Sequence, residues 1–570
     1  PQLGRRDPGG PRCASPWSML AGAWSPARAE AIGAAFVAAG APSAGETWAR
    51  ARPRLERYAE AWIAAHARAC EATVVLGVAP PELYGRRALC LADRRLHFAA
   101  LLDRFAAADR DTVTRALAAI DQLPPVDACE QPDASPAAAD PARVRERLEL
   151  REARARATVE LDTGDVGAAA AQIERTLARA RAADDPALLA EVLLLASAAD
   201  EVAGRLDAAL ARAREALRLA LEQRQPLVAA RATLQVEHLH RRRASLAEAG
   251  EDLLRLAETL AQQAGDPPGL RIDLLFGRGL AQYEANRHAE AIATYERLRG
   301  IAAAEGLDLD ASAALLDLGN SRDALGDYAG ARAAYLQGLA EVEPLLGPLH
   351  PTLADFHNNL ASVSLALADP DAALHHLERS EAIARANFGE VHPTVAGALL
   401  QRGSIHAVRG DLGVALAERR QAAALFEQIY GPRHPHVGLA RCAAGLDLRE
   451  LGRHDEALIE VERGAASIAA TRPADDCDLL FCTAIRGSLL HALGRDVEAV
   501  AALEPALARA ATSACVKEQR GELELGLARA LYRLRGARER DRILALLAAA
   551  SREFGPESNA EIERLAAALR

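Results

Sequence analysis

Apolar residues follow a helical period through most of the chain. Between Ala27 and about Leu123 they recur at spacings of three and four, which predicts amphipathic helices over Thr47–Ala79, Pro81–Ala107 and Asp111–Leu123. We expect Trp48, Trp62 and Phe98 to form the core of this small helical region.

Two segments lack the helical period. Residues 1–23 are rich in proline, glycine, arginine and serine, and the segment 124–140 contains four prolines. We therefore predict a flexible linker over 1–23, a helical module over 24–129, a second linker over 130–141 and a repeat array over 142–570.

The array repeats every 42 residues, most clearly from 272 to 515. Small residues recur at Gly277, Gly319, Ala361, Gly403, Gly445 and Gly487. An alanine stands twelve residues beyond each, at Ala289, Ala331, Ala373, Ala415, Ala457 and Ala499, and turn residues such as Gly326-Asp327 lie between the two series. Each unit is therefore predicted to be a helical hairpin whose small residue and alanine let the two backbones approach closely.

Longer loops separate the units and carry a histidine before a proline, at His350, His392 and His434. We expect these histidines to cap helices or pack in the loops. Less regular copies have turns at Gly164, Gly204, near Ala244 and at Gly536, so about ten hairpins are predicted, with atypical ends acting as caps.

The pattern resembles the tetratricopeptide repeat, as in Gly319, Gly326-Asp327-Tyr328 and Ala331-x-x-x-Tyr335. The 42-residue spacing and Asn358-Asn359-Leu360-Ala361 resemble the longer repeats of kinesin light chains. The resemblance implies an all-α fold, a right-handed superhelical solenoid of helical hairpins, with a concave groove lined by the first helix of each hairpin. It also implies a non-catalytic scaffold or sensor that binds a protein or peptide.

Polar residues recur on the predicted groove face at fixed distances from the small residue. The candidate peptide-binding residues are Asp317, Asn320, Asp323, Asn359, Gln401 and Arg449, and Ser362, Ser404, Ser488 and His491 share the same register. The resemblance places ligand contacts at the Asn359 position. The set mixes charges, so it leaves the ligand class open.

Composition excludes several kinds of chemistry. Only one of the 68 basic residues is a lysine, Lys517, and its surroundings match neither a phosphate loop, a kinase ATP site, nor a Schiff-base site. The net charge of −11 argues against nucleic acid as a partner. We predict no catalytic residue, no cofactor and no metal site, and we expect acidic pairs such as Asp184-Asp185 and Asp475-Asp476 to cap helices.

The eight cysteines contain no Cys-x-x-Cys motif. In a cytoplasmic protein they would be buried free thiols. As an alternative, Cys477 and Cys515 would meet at the open end of one hairpin, and a bond there would indicate an oxidising compartment.

The segment from Trp24 to Cys129 resembles the region that links the catalytic domain to the repeats in large myxobacterial serine/threonine protein kinases. The residues that carry this resemblance include Trp24-Ser25-Pro26, Tyr58-Ala59-Glu60-Ala61-Trp62, Cys70-Glu71-Ala72-Thr73 and Cys129. The kinase motifs are absent from the sequence. The resemblance therefore implies the regulatory part of such a kinase, with a kinase domain in cis or in trans, or a relative without the enzyme domain.

The only methionine is Met19, so we expect the sequence to begin inside a longer reading frame. We expect a cytoplasmic location, or a membrane-tethered or extracytoplasmic one if a membrane span lies upstream. Self-association of the array is a further alternative.

Overall fold

The structure is a computed structural model. It describes residues 13, 19–20, 22–130, 141–183, 185–242, 247–511, 517–553 and 559–569. The contacts divide the chain into two compact units, Pro1–Phe356 and His357–Arg570, which are described separately as the first and second unit. The described residues form helices joined by turns and loops, and they include no strand.

The first unit opens with four helices of the module: α1 (Pro26–Ala38), α2 (Ala44–Cys70), α3 (Pro81–Ala106) and α4 (Arg110–Asp121). Helix α2 is shorter than predicted, because a π-helical turn follows Cys70 and Gly77 adopts a positive φ of 63°. Trp62 and Phe98 are buried in the module core, and the half-buried Trp48 packs on Phe36 with ring centroids 5.4 Å apart.

Ten further helices complete the hairpins of the first unit within the described residues. They are α5 (Pro141–Asp162), α6 (Val166–Ala182), α7 (Pro186–Val202), α8 (Leu206–Glu222), α9 (Pro226–Arg242), α10 (Ala247–Gln263), α11 (Pro268–Glu284), α12 (His288–Ala304), α13 (Asp308–Ala324) and α14 (Tyr328–Leu346). Odd-numbered members from α5 onward are the first helices of their hairpins. The turn predicted near Ala244 lies outside the described residues.

Helix α15 (Thr352–Ala366) runs across the division between the units. The second unit continues with α16 (Pro370–Phe388), α17 (Pro393–Val408), α18 (Leu412–Tyr430), α19 (Pro435–Glu450), α20 (His454–Ala469), α21 (Cys477–Ala492), α22 (Asp496–Ala510), α23 (Lys517–Arg535), α24 (Arg540–Glu553) and α25 (Asn559–Leu569). No described helix has both the length and the apolar composition needed to cross a lipid bilayer.

The hairpin turns among the described residues depend on a residue with positive φ. Gly326 has a φ of 78°, and Asp327 then accepts a hydrogen bond from the backbone N–H of Gly330 at 3.0 Å, which caps α14. Asn286 and Ala368 hold the corresponding position in two other hairpins, with φ of 57° and 56°. The predicted turn chemistry therefore forms as expected.

The close approach of the two helices is confirmed for most members of the small-residue series. A Cβ added to Gly319 would lie 2.2 Å from the ring of Tyr335, and one added to Gly487 would lie 2.5 Å from Leu503. The alanines from Ala331 to Ala499 in the second series are all buried without measurable exposure.

The prediction is wrong for the first member of both series. A Cβ on Gly277 would meet its nearest neighbour at an ordinary 3.7 Å, whereas one on Gly279 would lie 2.6 Å from Tyr295. Ala289 is exposed and Ala291 is the fully buried alanine. The physical reason is that the repeat is two residues shorter at this point: the close-approach glycines Gly279 and Gly319 are 40 positions apart, and α12 has 17 residues where α14 has 19.

Disulfide bonds join cysteines that were expected to be free thiols, so that expectation is wrong. The described pairs are Cys13–Cys70, Cys90–Cys129 and Cys442–Cys482, with Cα–Cα distances of 6.0, 5.5 and 5.4 Å. Cys477 is also disulfide-bonded, while Cys515 lies outside the described residues.

The Cys442–Cys482 bond connects α19 to α21, the first helices of consecutive hairpins. In the module, the other two bonds tie Cys13 to the end of α2 and α3 to Cys129. The predicted linker over 1–23 is therefore attached to the module at Cys13, and its residues Leu20 and Ala23 are buried.

Candidate functional site

Three of the predicted groove residues lie together on one helix of the first unit. Asp317, Asn320 and Asp323 follow one another at spacings of three along α13, which places them on the same side of the helix. All three are partly buried. The structure therefore brings together the part of the candidate site that belongs to this unit.

Tyrosines pack beneath these polar residues. Tyr335 is buried on α14, and its hydroxyl donates a hydrogen bond of 2.8 Å to Oδ1 of Asn320. Burial raises the pKa of Tyr335, and the nearby charges of Asp323 and Asp317 raise it further. Asn320, predicted as a groove residue, therefore supports a buried tyrosine.

Sequence reasoning quoted Tyr335 as part of the repeat motif but did not place it at the site. The signal was present, since Tyr295 and Tyr335 both stand sixteen residues after the close-approach glycine of their hairpins, Gly279 and Gly319. A missing Cβ on the first helix leaves the space that the tyrosine ring occupies.

The carboxyl group of Asp317 has unusual electrostatics. Burial raises its pKa to about 6, although a hydrogen bond with Asn320 opposes the shift. Burial also raises the pKa of Asp323. Near neutral pH the Asp317 carboxyl can therefore change between donating and accepting hydrogen bonds at a modest free-energy cost.

The second unit contains the other three predicted residues, on α15, α17 and α19. Asn359 is partly buried and Gln401 is exposed. Arg449 donates to Oγ of Ser488 at 2.9 Å and to Oε1 of Glu450 at 2.8 Å, so its guanidinium is already engaged within the protein. Gln401 is the most accessible of these three side chains.

Beside them lies a buried ion pair that the sequence analysis did not identify. Arg419 fills the space above Gly403, where a Cβ would lie 2.8 Å from its side chain. Arg419 pairs with Asp447 at 2.5 Å and donates to Oγ of Ser404 at 3.3 Å. Ser404, predicted as a groove position, is therefore a structural partner of Arg419.

The position of Arg449 in its repeat is also held by a basic residue in the two following repeats, near the end of the first helix of each hairpin. His491 and Arg533 lie 42 and 84 residues beyond Arg449. Both contact the buried Asp496, His491 through Nδ1 at 2.5 Å and Arg533 through Nε at 2.9 Å. This edge of the second unit is therefore ion-paired. The sequence analysis listed His491 but did not extend the series to Arg533.

The recurrent loop histidines cap helices, as predicted. The backbone N–H groups of Thr352, Thr394 and His436 donate at 3.3 Å to Nδ1 of His350, His392 and His434. One residue of each acidic pair acts in the same way, since Asp185 accepts from Leu188 N–H at 3.1 Å and Asp476 from Asp478 N–H at 3.1 Å. Asp184 lies outside the described residues.

Within the described residues, no group of three or more His, Cys, Asp or Glu side chains is arranged to hold a metal ion. The adjacent His375 and His376 do not converge on one point: Nδ1 of His376 lies 3.1 Å from Nδ1 of His357 on the preceding helix. These two rings form a neutral pair in which one nitrogen donates to the other.

Residues 310–386 and 394–466 match the family model of the tetratricopeptide repeat. The match confirms the predicted fold class, an all-α solenoid built from tetratricopeptide hairpins. Repeats of this family serve as scaffolds for protein–protein interaction. No curated protein matches the chain significantly.

Solved structures with similar helical arrangements are distant in sequence. The chain is 19% identical to BtubC from P. vanneervenii over 40% of this chain and 89% of that one, with a TM-score of 0.35. It is 13% identical to the apo form of the quorum sensor NprR from B. thuringiensis over 63% and 98%, with a TM-score of 0.47. It is 16% identical to aspartyl phosphate phosphatase F from Bacillus subtilis over 61% and 90%, with a TM-score of 0.42. Because all three TM-scores lie below 0.5, these likenesses carry no argument about function.

Proposed function

We propose that the chain is a protein-interaction scaffold or sensor in bacterial signalling and that it binds an extended peptide or partner protein along its first helices. The observation that carries the proposal is the recurrence of polar side chains at fixed positions of those helices, with Ser362 and Gln401 exposed on α15 and α17. Amide and hydroxyl side chains both donate and accept hydrogen bonds, so they suit the backbone of an extended peptide.

The side chains divide into those with structural duties and those suited to a ligand. Asn320 holds the Tyr335 hydroxyl and Arg449 holds Ser488. Substituting either one would disturb the fold as well as any ligand contact. Gln401 is exposed and is therefore the clearest position for a test, which we combine with Asn359, where the resemblance places ligand contacts.

A pull-down from a lysate of the source cells tests the proposal. We compare the chain with Asn359→Ala/Gln401→Ala, and use Gln421→Ala as a control, because Gln421 is exposed on α18, a second helix. We expect partners to be lost from the double variant and retained by the control, after circular dichroism shows equal helicity. Retention of all partners by the double variant would reject the first-helix site.

The disulfide bonds bear on the compartment. Seven of the eight cysteines are bonded in the described residues, and such bonds persist in oxidising compartments and are rare in the cytosol. We therefore propose an oxidising location in place of the cytoplasmic one expected from the sequence. Alkylation of the unreduced, denatured protein from its native cells should label at most one cysteine. Labelling of most cysteines would reject this location.

A second candidate function is the regulatory part of a serine/threonine protein kinase whose catalytic domain lies upstream. The resemblance of the module and the disulfide bonds together support a sensor region on the oxidising side of a membrane. Genomic sequence upstream of Pro1 tests it, since a glycine-rich loop, a lysine-bearing strand and a His-Arg-Asp motif are required. Their absence would reject this candidate without affecting the peptide-binding proposal.

A further inference from the structure

The module contacts the repeat array at two places that lie far apart along the chain. The first place is an anchor between α3 and α5. Asp93 is buried there and pairs with Arg154 of α5 at 3.1 Å. Burial alone would raise the pKa of Asp93, but the charges of Arg154, His97 and Arg94 outweigh it and lower the pKa. A buried pair of this kind is costly to break, so we expect the anchor to stay closed in the folded protein.

The second place, which we call the latch, joins the module to the last turn of α14 and the loop after it. Nε of Arg50 donates to the carbonyl oxygen of Pro344 at 2.7 Å, and Nε2 of His350 lies 2.9 Å from the carbonyl oxygen of Thr114. The Glu46 carboxylate lies close to Gly347, where an added Cβ would be 2.4 Å from Oε2. The latch is made of a few polar contacts.

His350 is used differently from its counterparts in the next two loops. His392 stacks on Phe388 and His434 stacks on Tyr430, each with ring centroids 4.2 Å apart. Four residues before His350 the chain has Leu346 instead of an aromatic residue. Its Nδ1 accepts the N–H of Thr352, so Nε2 carries the proton and donates to the module.

Like charges weaken the latch. Asp121, in the last turn of α4, is held by Arg54 at 3.0 Å. Burial raises the pKa of Asp121, and the carboxylates of Asp310 and Asp308 at the start of α13 raise it further. The Arg50 hydrogen bond is exposed and the His350 hydrogen bond is only partly buried, so few contacts have to break for the latch to open.

The module meets first helices of the array at its anchor, since Arg154 of α5 pairs with Asp93 of the module and also with Glu191 of α7. Asp310 interacts electrostatically with Asp121 of the module and also with Asp273 of α11, which in turn interacts with Arg231 of α9. The anchor, the hairpins from α5 to α14 and the latch therefore form a closed ring of contacts within the first unit.

From this geometry we propose that the module is an autoinhibitory strap, which closes over the first helices of the first unit and must release the latch before a partner can bind there. The proposal rests on the proposed binding of a peptide or protein by the first helices. A partner that binds only the open form would shift the equilibrium by its binding free energy.

The latch can be opened without damaging the fold. In Arg50→Ala/His350→Asn, asparagine keeps the helix cap but is too short to reach Thr114. The matched control is Arg52→Ala/His392→Asn, since Arg52 is exposed and pairs with Glu56 among the described residues, and His392 caps α17. Both variants lose the same residue types.

Hydrogen exchange measured by mass spectrometry on the full chain gives the first readout. We expect exchange at least tenfold faster in segments 110–121 and 344–350 of the latch variant, and no change in the control. Equal exchange in the two variants would overturn the strap.

Partner capture from lysate gives the second readout. We expect the latch variant to capture more partner than the wild type or the control. If exchange rises and capture does not, the strap does not inhibit binding and the proposal is overturned. The result for Asn359→Ala/Gln401→Ala decides the binding proposal separately, because those residues lie outside the first unit.

Discussion

In the hairpin of α11 and α12 the close-approach glycine lies two positions later than the 42-residue series predicts, at Gly279 instead of Gly277. This offset can be tested with the two glycines themselves. Gly277 and Gly279 both lie in the interior of α11, so replacing either by alanine yields the same gain in helix propensity, about 1 kcal/mol. Their surroundings differ. The new Cβ would be 3.7 Å from its nearest neighbour at position 277 but 2.6 Å from the Tyr295 ring at position 279.

The magnitude follows from this difference. Carbon atoms in contact prefer separations of about 3.5–4.0 Å, so the Tyr295 ring must move by roughly 1 Å in a cluster with Ala291, Leu315 and Ala334. Overpacking of a core costs about 1–3 kcal/mol. Since helix propensity cancels, Gly279→Ala should be less stable than Gly277→Ala by about that amount, and Gly277→Ala should equal or exceed the wild type.

Urea unfolding followed by circular dichroism measures the difference as a shift in midpoint at constant slope. Adding Tyr295→Leu to Gly279→Ala should recover part of the loss, because the smaller side chain makes room for the methyl group. Equal stabilities of the two single variants, or greater damage at Gly277, would refute the assigned offset.

Three further predictions concern titration and cross-linking. Burial raises the pKa of Asp317 to about 6, so the ionised carboxyl costs folding free energy above that pH and nothing below about pH 4. Asp317→Asn should therefore raise the urea midpoint at about pH 7.5 and leave it unchanged at about pH 4. A pH-independent effect would contradict this. Burial, followed by the charge of His376, lowers the pKa of His357 to about 4, so wild-type stability should fall as pH drops from about 6.5 towards 4. Between about pH 7 and 5 the thermal midpoint of His357→Leu should therefore fall less than that of the wild type. Replacing both Cys442 and Cys482 by alanine should lower the free energy of unfolding by about 2–4 kcal/mol and speed hydrogen exchange in α19 and α21. Unchanged exchange in these helices would show that the bond does not stabilise them.

The hairpin architecture could be predicted because it depends on short-range chemistry. Glycine at the turn, alanine at the closest approach and proline after a capping histidine act within a few residues, so their spacing in the sequence reflects their positions in space. The shift from Gly277 to Gly279 was missed because an alanine-rich helix supplies an alanine at many positions, including both Ala289 and Ala291.

The site was less predictable because it depends on contacts between distant segments. Sequence spacing placed Asp317 and Asn320 correctly on one helix face, but it could not show that Asn320 supports Tyr335 or that Arg449 is engaged by Ser488. The three described disulfide pairs join residues at least 39 positions apart, and the latch joins Arg50 to Pro344. Only the packing of helices brings such residues together.

The Cys442–Cys482 bond also determines how the second unit would respond to a mechanical load. A stack of hairpins pulled from its two ends lengthens as successive helices unravel, at about 3.3–3.6 Å for each residue released. The 40-residue separation between the two cysteines withholds roughly 130 Å of that extension. A single molecule held under tension should therefore lengthen by this amount when a reductant is added.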